Sequence, residues 1–283
     1  MTDPAMTDLD TLLDVPGGRL RVVAEGPDDG PPILLVHSAV VDLRSWDAMV
    51  PLLVNAGHRV IRYDMRGFGE STTDDVEFSN TDDLRAVLDR AGARQVLVAG
   101  NSRGARIALD AILETPDRFV AFGWIGGGIG GFSGGSEPPE EVELDKAWEA
   151  AEASGDVDAM TDIDVRVWMD GIGQPPTRVP GAVREAMRAM CRPLNEPDRV
   201  FGKPTELEPP AATRLGELRL PTLVVIGELD TSGTKAAAAH LATAAPNARL
   251  VSWPDVAHMV GMEQPGRLAT TLLDFLAPLP RWR

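Results

Sequence analysis

The sequence predicts an α/β fold, a mostly parallel sheet with helices on both faces, and three observations carry that prediction. Short strand-forming runs recur at residues 33–36, 59–63, 96–99, 119–124 and 223–226, with helical patterns between them. Runs that are continuously apolar need cover on both faces of the sheet, which the intervening helices supply. One of them, 96–99, passes through Gly100-Asn101-Ser102-Arg103-Gly104 straight into a helix-compatible segment, 105–113. A strand, a G-x-S-x-G turn and a helix in that order hold a serine out at the edge of a sheet. Finally, 283 residues can bury a large core, so one α/β domain with an insertion is the natural count.

Taken in order, residues 20–25 alternate and read as an early strand, followed by the turn-rich Gly26-Pro27-Asp28-Asp29-Gly30-Pro31-Pro32. Residues 33–37 form a buried strand, 46–56 a helix and 59–63 another strand. Thr81 is placed to cap a helix running through Leu84 and Leu88 to Arg90, stopped by Gly92. After the serine turn and its helix comes a strand at 119–124. Later elements are a strand at 221–227, a helix at 235–245, a strand at 249–253 and a closing helix at 266–276. The middle breaks this rhythm. Residues 126–135 are glycine-rich, Glu137-Pro138-Pro139-Glu140 is a breaker, and 141–207 is helical in pattern without a buried strand. Its clearest helices are 141–153 and 183–191, with breaks at 171–180 and 192–197.

A serine is a weak nucleophile until a base takes its proton, so the histidines come next. His37 ends a buried strand, His58 sits in a turn, and His240 lies in an alanine-rich helix. His258 follows a strand and a loop near the C-terminus, where a base can be carried to the carboxyl edge of a sheet. The third group must hold the imidazole tautomer and stabilise its cation. Glu228-Leu229-Asp230 directly follows the strand at 221–227, so Asp230 sits at the carboxyl end of that strand and between Ser102 and His258 in sequence. Glu228, earlier on the same turn, is the second choice.

These segments together resemble α/β-hydrolases of the cap-bearing kind, with the likeness running to 3-oxoadipate enol-lactonases and cofactor-free haloperoxidase-like esterases. The matching stretches are His37-Ser38-Ala39 with Trp46, Asp64-Met65-Arg66-Gly67-Phe68-Gly69-Glu70-Ser71, the Ser102 turn, Gly227-Glu228-Leu229-Asp230, and Ala257-His258 with Glu263-Gln264-Pro265. The resemblance implies an eight-stranded sheet, with a core of residues 1–129 and 208–283 and a helical cap, 130–207, inserted after the sixth strand. It makes Ser102, Asp230 and His258 the catalytic triad and the backbone N–H groups of Ala39 and Arg103 the oxyanion hole. The family usually has His-Gly where this chain has His37-Ser38. The Asp64–Ser71 stretch is structural in that family, so Arg66 is not a catalytic candidate. A serine rather than an aspartate at position 102 argues against epoxide-hydrolase or haloalkane-dehalogenase chemistry.

Bulk properties narrow the rest. There are 43 acidic and 27 basic residues, a net charge of −16, which repels phosphate backbones and anionic lipid. Neither nucleic acid nor a membrane is therefore an expected partner; a small-molecule substrate is, and a homodimer is left open. With Cys191 alone no intrachain disulfide forms, the acidic residues 1–8 precede no apolar signal core, and a cytoplasmic location is expected. No metal-ligand, dinucleotide or phosphate-loop pattern stands in the chain, so neither a metal nor any other cofactor is expected. Within the cap, Trp148, Trp168 and Met187 are the candidate substrate-facing residues, although apolar residues at helical spacing mostly pack. Arg103 and Arg106 flank the serine turn; pairing with nearby acids is the expected role of both, ahead of attracting a substrate carboxylate. The function expected is hydrolysis of a small carboxylic ester or lactone through an acyl-enzyme. Carbon–carbon bond hydrolysis and a non-hydrolytic biosynthetic or ligand-binding role are the alternatives.

Overall fold

The computed structural model describes residues 8–280 and 282; the acidic stretch up to Thr7 read above lies outside the described residues. Eight strands build the main sheet: β1 Leu9–Val15, β2 Gly18–Glu25, β3 Pro32–Val36, β4 Arg59–Tyr63, β5 Val96–Asn101, β6 Phe119–Ile125, β7 Thr222–Gly227 and β8 Ala248–Trp253. Their order is β1-β2-β4-β3-β5-β6-β7-β8, with Thr72–Thr73 adding a short strand beside β2. β1 and β2 form an antiparallel hairpin, and β2 runs antiparallel to β4. All pairings from β4 through to β8 are parallel. Every residue of β3, β5 and β7 is buried, which is why these strands read as unbroken apolar runs.

Helices cover both faces. On one side α2 Asn80–Arg90, α3 Arg103–Glu114 and α7 Ser232–Ala244 pack Leu84, Ile107 and Leu241 against Leu34, Val98 and Val224. On the other, α1 Val50–Asn55 and α8 Pro265–Leu276 pack Leu53, Leu268 and Leu272 against Ile33, Leu97 and Val225. Trp282 closes this second layer, its indole donating to the Pro32 carbonyl at 3.0 Å.

Three local expectations change. β1 is not among the predicted strands; it alternates between half-buried and exposed positions, with no residue fully buried, because it is an edge strand with β2 as its only partner in the sheet. The helix expected at 46–56 is a 3₁₀ turn, Leu43–Trp46, followed by the six-residue α1, which begins at Pro51 and its predecessor. The cap of α2 is Ser79, whose hydroxyl accepts from Asp82 N at 3.1 Å, whereas the Thr81 hydroxyl donates to Glu114 at 2.6 Å.

Between β6 and β7 the chain leaves the sheet as α4 Pro139–Ser154, α5 Val157–Asp164, a π-helical turn Val165–Asp170, and α6 Gly181–Cys191. Val165, Met169, Met187 and Met190 of this segment form one apolar cluster with Val41 and Met259. Val41 follows β3 and Met259 follows His258, so the segment lies over loops at the carboxyl edge of the sheet. On its return, Lys203–Pro204 pairs in parallel with Glu77–Phe78. Among the described residues no helix is long and apolar enough to cross a membrane.

Candidate active site

Ser102 stands between β5 and α3 with φ 57° and ψ −119°, the one non-glycine residue with positive φ among those described. Such backbone costs on the order of 1–3 kcal/mol and persists only where its surroundings impose it. Here the glycines impose it. A β-carbon on Gly100 would come within 2.4 Å of the Gly104 backbone, and one on Gly104 within 2.3 Å of the Val36 carbonyl oxygen. Strand, turn and helix can close on each other only because both positions are bare, and the closure brings the start of α3 against the end of β3.

His258 and Asp230 arrive from the loops after β8 and β7. The His258 Nδ1 lies 2.9 and 3.0 Å from the two Asp230 oxygens, and both side chains are nearly inaccessible. With Nδ1–H donating to the carboxylate, Nε2 is the nitrogen left to accept a proton. Thr231 N donates to Asp230 at 2.7 Å. Glu228, the competing carboxylate, is exposed and takes the Ser252 hydroxyl instead. Gly126, at φ +48°, leaves the space that Asp230 and His258 occupy: a β-carbon there would sit 3.1 Å from Asp230 Oδ2 and 3.5 Å from His258 Nδ1. Ser102 and His258 share the wall of one cavity of about 640 Å³.

His258 is held by its main chain as well. Asn101 Nδ2 donates to the carbonyls of Ile125 at 3.0 Å and of His258 at 3.2 Å. Ala257 N donates to Glu263 at 3.0 Å, and the buried Glu263 is paired at 2.6 Å with Arg178 from the helical segment. Burial raises the Glu263 carboxyl above its ordinary range, against the pull of Arg178. Arg178 also donates to the carbonyls of Met169, Asp170 and Asp255, tying the segment to the loop that carries His258. None of Asn101, Gly126, Arg178 and Glu263 was assigned a role from sequence. Asn101 and Gly126 carried a signal, one inside the serine turn and the other opening the glycine-dense run. Arg178 carried none.

The other three histidines are engaged elsewhere. His37 is fully buried, with Nδ1 on the Ser38 carbonyl at 2.8 Å and Nε2 accepting from Met65 N at 3.0 Å. Burial drops its pKa from 6.5 to about 4, so it is a neutral fixture of the loop. His58 Nδ1 meets the Pro31 carbonyl and His240 stacks on Phe132. Ser38 has no left-handed backbone, so a serine where the family has glycine imposes no such strain. The backbone N–H groups of Ala39 and Arg103 find no acceptor among the described residues, and both residues line one larger cavity. The Asp64–Ser71 loop is structural in its contacts: Asp64 accepts from Leu43 N and Glu70 N, while Arg66 is paired with the buried Asp83 at 2.6 Å.

That larger cavity, about 750 Å³, lies between α3 and the helical segment. Trp148 lines it, whereas Trp168 lines the serine cavity with its ring 4.5 Å from that of His258. Met187 lines neither; it has no accessible surface and fills the apolar cluster beneath α6. Arg106 borders both cavities and is paired with Glu206 as expected, but Arg103 has no acidic partner among the described residues. No group of three or more histidine, cysteine, aspartate or glutamate residues among those described is placed to hold a metal.

The strand order, with a strained serine after β5, a carboxylate after β7 and a histidine after β8, is that of the α/β-hydrolase fold. The model of the alpha/beta hydrolase family matches residues 33–271, and the chain belongs to that family. Epoxide hydrolase B of Mycobacterium tuberculosis is 31% identical over 157 residues, covering 50% of this chain and 44% of that protein. The chain thus matches less than half the length of that relative. The 2-hydroxy-6-oxononadienedioate/2-hydroxy-6-oxononatrienedioate hydrolase of Klebsiella pneumoniae is 26% identical over 274 residues, 92% of this chain and 93% of that one. The crystal structure of the enol-lactonase from Burkholderia xenovorans LB400 shares the fold, with a TM-score of 0.74 and 21% identity over 94% of this chain and all of that one.

Proposed function

We propose that the protein is a serine hydrolase that cleaves a small carboxylic ester or lactone through an acyl-enzyme. The observation that carries this reading is the buried Asp230–His258 pair sharing a cavity with Ser102 on its strained turn. His258 Nε2 takes the Ser102 proton as Oγ attacks the carbonyl carbon. The carbonyl oxygen becomes an oxyanion that accepts from the N–H groups of Ala39 and Arg103, each worth about 3 kcal/mol in comparable sites. His258⁺, stabilised by Asp230, then gives its proton to the leaving alkoxide as the carbon–oxygen bond breaks. Water repeats the sequence, and hydrolysis of the acyl-serine releases the acid and restores Ser102. The segment 130–207 acts as the cap over this site.

A serine at position 102 sets this chain apart from carboxylate-nucleophile chemistry on epoxides, despite the partial match to a protein of that name. A second reading, hydrolysis of a carbon–carbon bond, is favoured by the end-to-end match to the dienedioate hydrolase. The test is direct. Wild-type protein should react with a fluorophosphonate probe and hydrolyse p-nitrophenyl acetate. Ser102→Ala should do neither while keeping its thermal unfolding transition, and His258→Ala should lose turnover by about four orders of magnitude. More than a few per cent of wild-type turnover in Ser102→Ala would overturn the proposal. Turnover of a vinylogous dienoate without turnover of esters would favour the second reading.

A further inference from the structure

Three arginines line the 750 Å³ cavity above α3, and two of them are neutralised. Arg66 is held by Asp83 and Arg106 by Glu206. Arg103 has neither an ion pair nor a hydrogen-bond acceptor among the described residues; its guanidinium lies 5.9 Å from the Phe68 ring. Acids are not scarce on these walls, but several are already occupied. Glu114 serves Thr81 and Arg85, Glu196 serves Arg192, and Asp164 takes Asn195 and Cys191. In a chain with 43 acidic and 27 basic residues, an arginine left unmatched inside a cleft is a free anion-binding group.

The Arg103 side chain keeps its accessible surface within the cleft, open to a ligand, and partial desolvation together with the charge of Arg106 holds its pKa below the ordinary arginine value. A planar fork of N–H donors suits a carboxylate, which it can bind through two parallel hydrogen bonds. A phosphate dianion fits less well, because the other two arginines of the cavity, Arg66 and Arg106, are already spent on Asp83 and Glu206. Position matters as much as chemistry. Arg103 follows Ser102 directly, so their Cα atoms stand about 3.8 Å apart. The serine opens on the glycine-lined cavity of Gly126, Gly127 and Gly128, while the Arg103 side chain borders the larger one. A substrate whose carbonyl sits at Ser102 can place one end in each chamber.

We infer that the Arg103 side chain binds a carboxylate carried by the substrate itself, so that the natural substrate is a half-ester or lactone of a dicarboxylic acid. The free carboxylate occupies the larger chamber, and Phe68, Ile107 and Met160 on its walls suit the short methylene chain between the two groups. This inference rests on the ester-hydrolase reading for the reaction, but not for the binding of the anion.

The test compares p-nitrophenyl half-esters of succinic, glutaric and adipic acid with the neutral p-nitrophenyl esters of butyric, valeric and hexanoic acid. Wild-type protein should prefer at least one half-ester over its neutral partner by tenfold or more in kcat/KM. Arg103→Met should bring that preference down to near unity, chiefly through KM, and Arg103→Lys should recover part of it. The ratio is the readout, since every variant keeps the backbone N–H at position 103. Independently of turnover, millimolar glutarate should raise the melting temperature of wild-type protein and leave Arg103→Met unmoved. Equal kcat/KM for charged and neutral esters, or an equal fall on both in Arg103→Met, overturns the inference. If no ester is turned over, the hydrolase reading fails by itself, and the glutarate shift decides whether the carboxylate site stands.

Discussion

Asp230 and Glu228 stand two residues apart on one turn, yet only Asp230 reaches the imidazole. Asp230→Asn should therefore keep the fold and lose about 10⁴-fold in kcat, because an amide stabilises the wrong tautomer. Glu228→Gln, which loses only a contact with Ser252, should fall far less, and one activated ester measured on both variants gives the ranking. His37 sets up a pH-dependent contribution of known sign. Its folded pKa is about 4 against 6.5, so between those values the unfolded chain holds a proton that the folded one lacks. Its contribution is complete above pH 6.5 and falls away as the pH drops, by about 3 kcal/mol across the window. Asp64 and Asp110, both pushed up to about 6 by burial, act in the opposite sense and flatten the wild-type curve. His37→Gln should remove only the first contribution. Its stability relative to wild type should decline as pH rises from 4 to 6.5, as urea titrations at several pH values can read. Sequence alone could rank these carboxylates and histidines by position, but not by what each ring nitrogen touches.

At the scale of elements, the serine turn was legible because its requirements are local. Gly100 and Gly104 flank Ser102 within five residues, and the strand and helix around them follow from apolar runs. β1 and α5 were not, because neither carries a strong pattern of its own: β1 is an edge strand, and α5 runs into a π-helical turn. Arg178 marks the limit most clearly. It lies in a stretch that reads as a break, and its partners Asp255 and Glu263 become neighbours only when the helical segment folds over the sheet. Replacing it should therefore act at a distance. Arg178→Met leaves the buried Glu263 carboxylate without its cation, which should cost about 3 kcal/mol or more in stability. Because Glu263 also holds Ala257 N, kcat should drop together with the urea midpoint. An unchanged kcat with an unchanged midpoint would show that the clasp is idle.

For the whole molecule, the two chambers divide Trp148, Trp168 and Met187 of the helical segment into three kinds of position with different expected behaviour. Trp168→Ala should lower activity on every ester, since its ring lies against His258. Trp148→Ala should change the relative kcat/KM of short and long acyl chains, since it walls the larger chamber. Met187→Ala should cost about 2–5 kcal/mol of stability and leave selectivity alone, since it fills a closed apolar cluster. A chain-length series with denaturation midpoints separates the three. The parallel strand order has a further consequence, in time rather than in space. Residues 37–39, 101–103, 230 and 258 meet only after β3, β5, β7 and β8 have aligned, and β3 lies between β4 and β5 in the sheet. Such long-range pairings form slowly, after nearby helices have formed. On dilution from urea, helical circular dichroism should return first and esterase activity only with the last phase of tryptophan fluorescence. The catalyst thus reports its own completion: no partly folded form of the chain should turn over substrate.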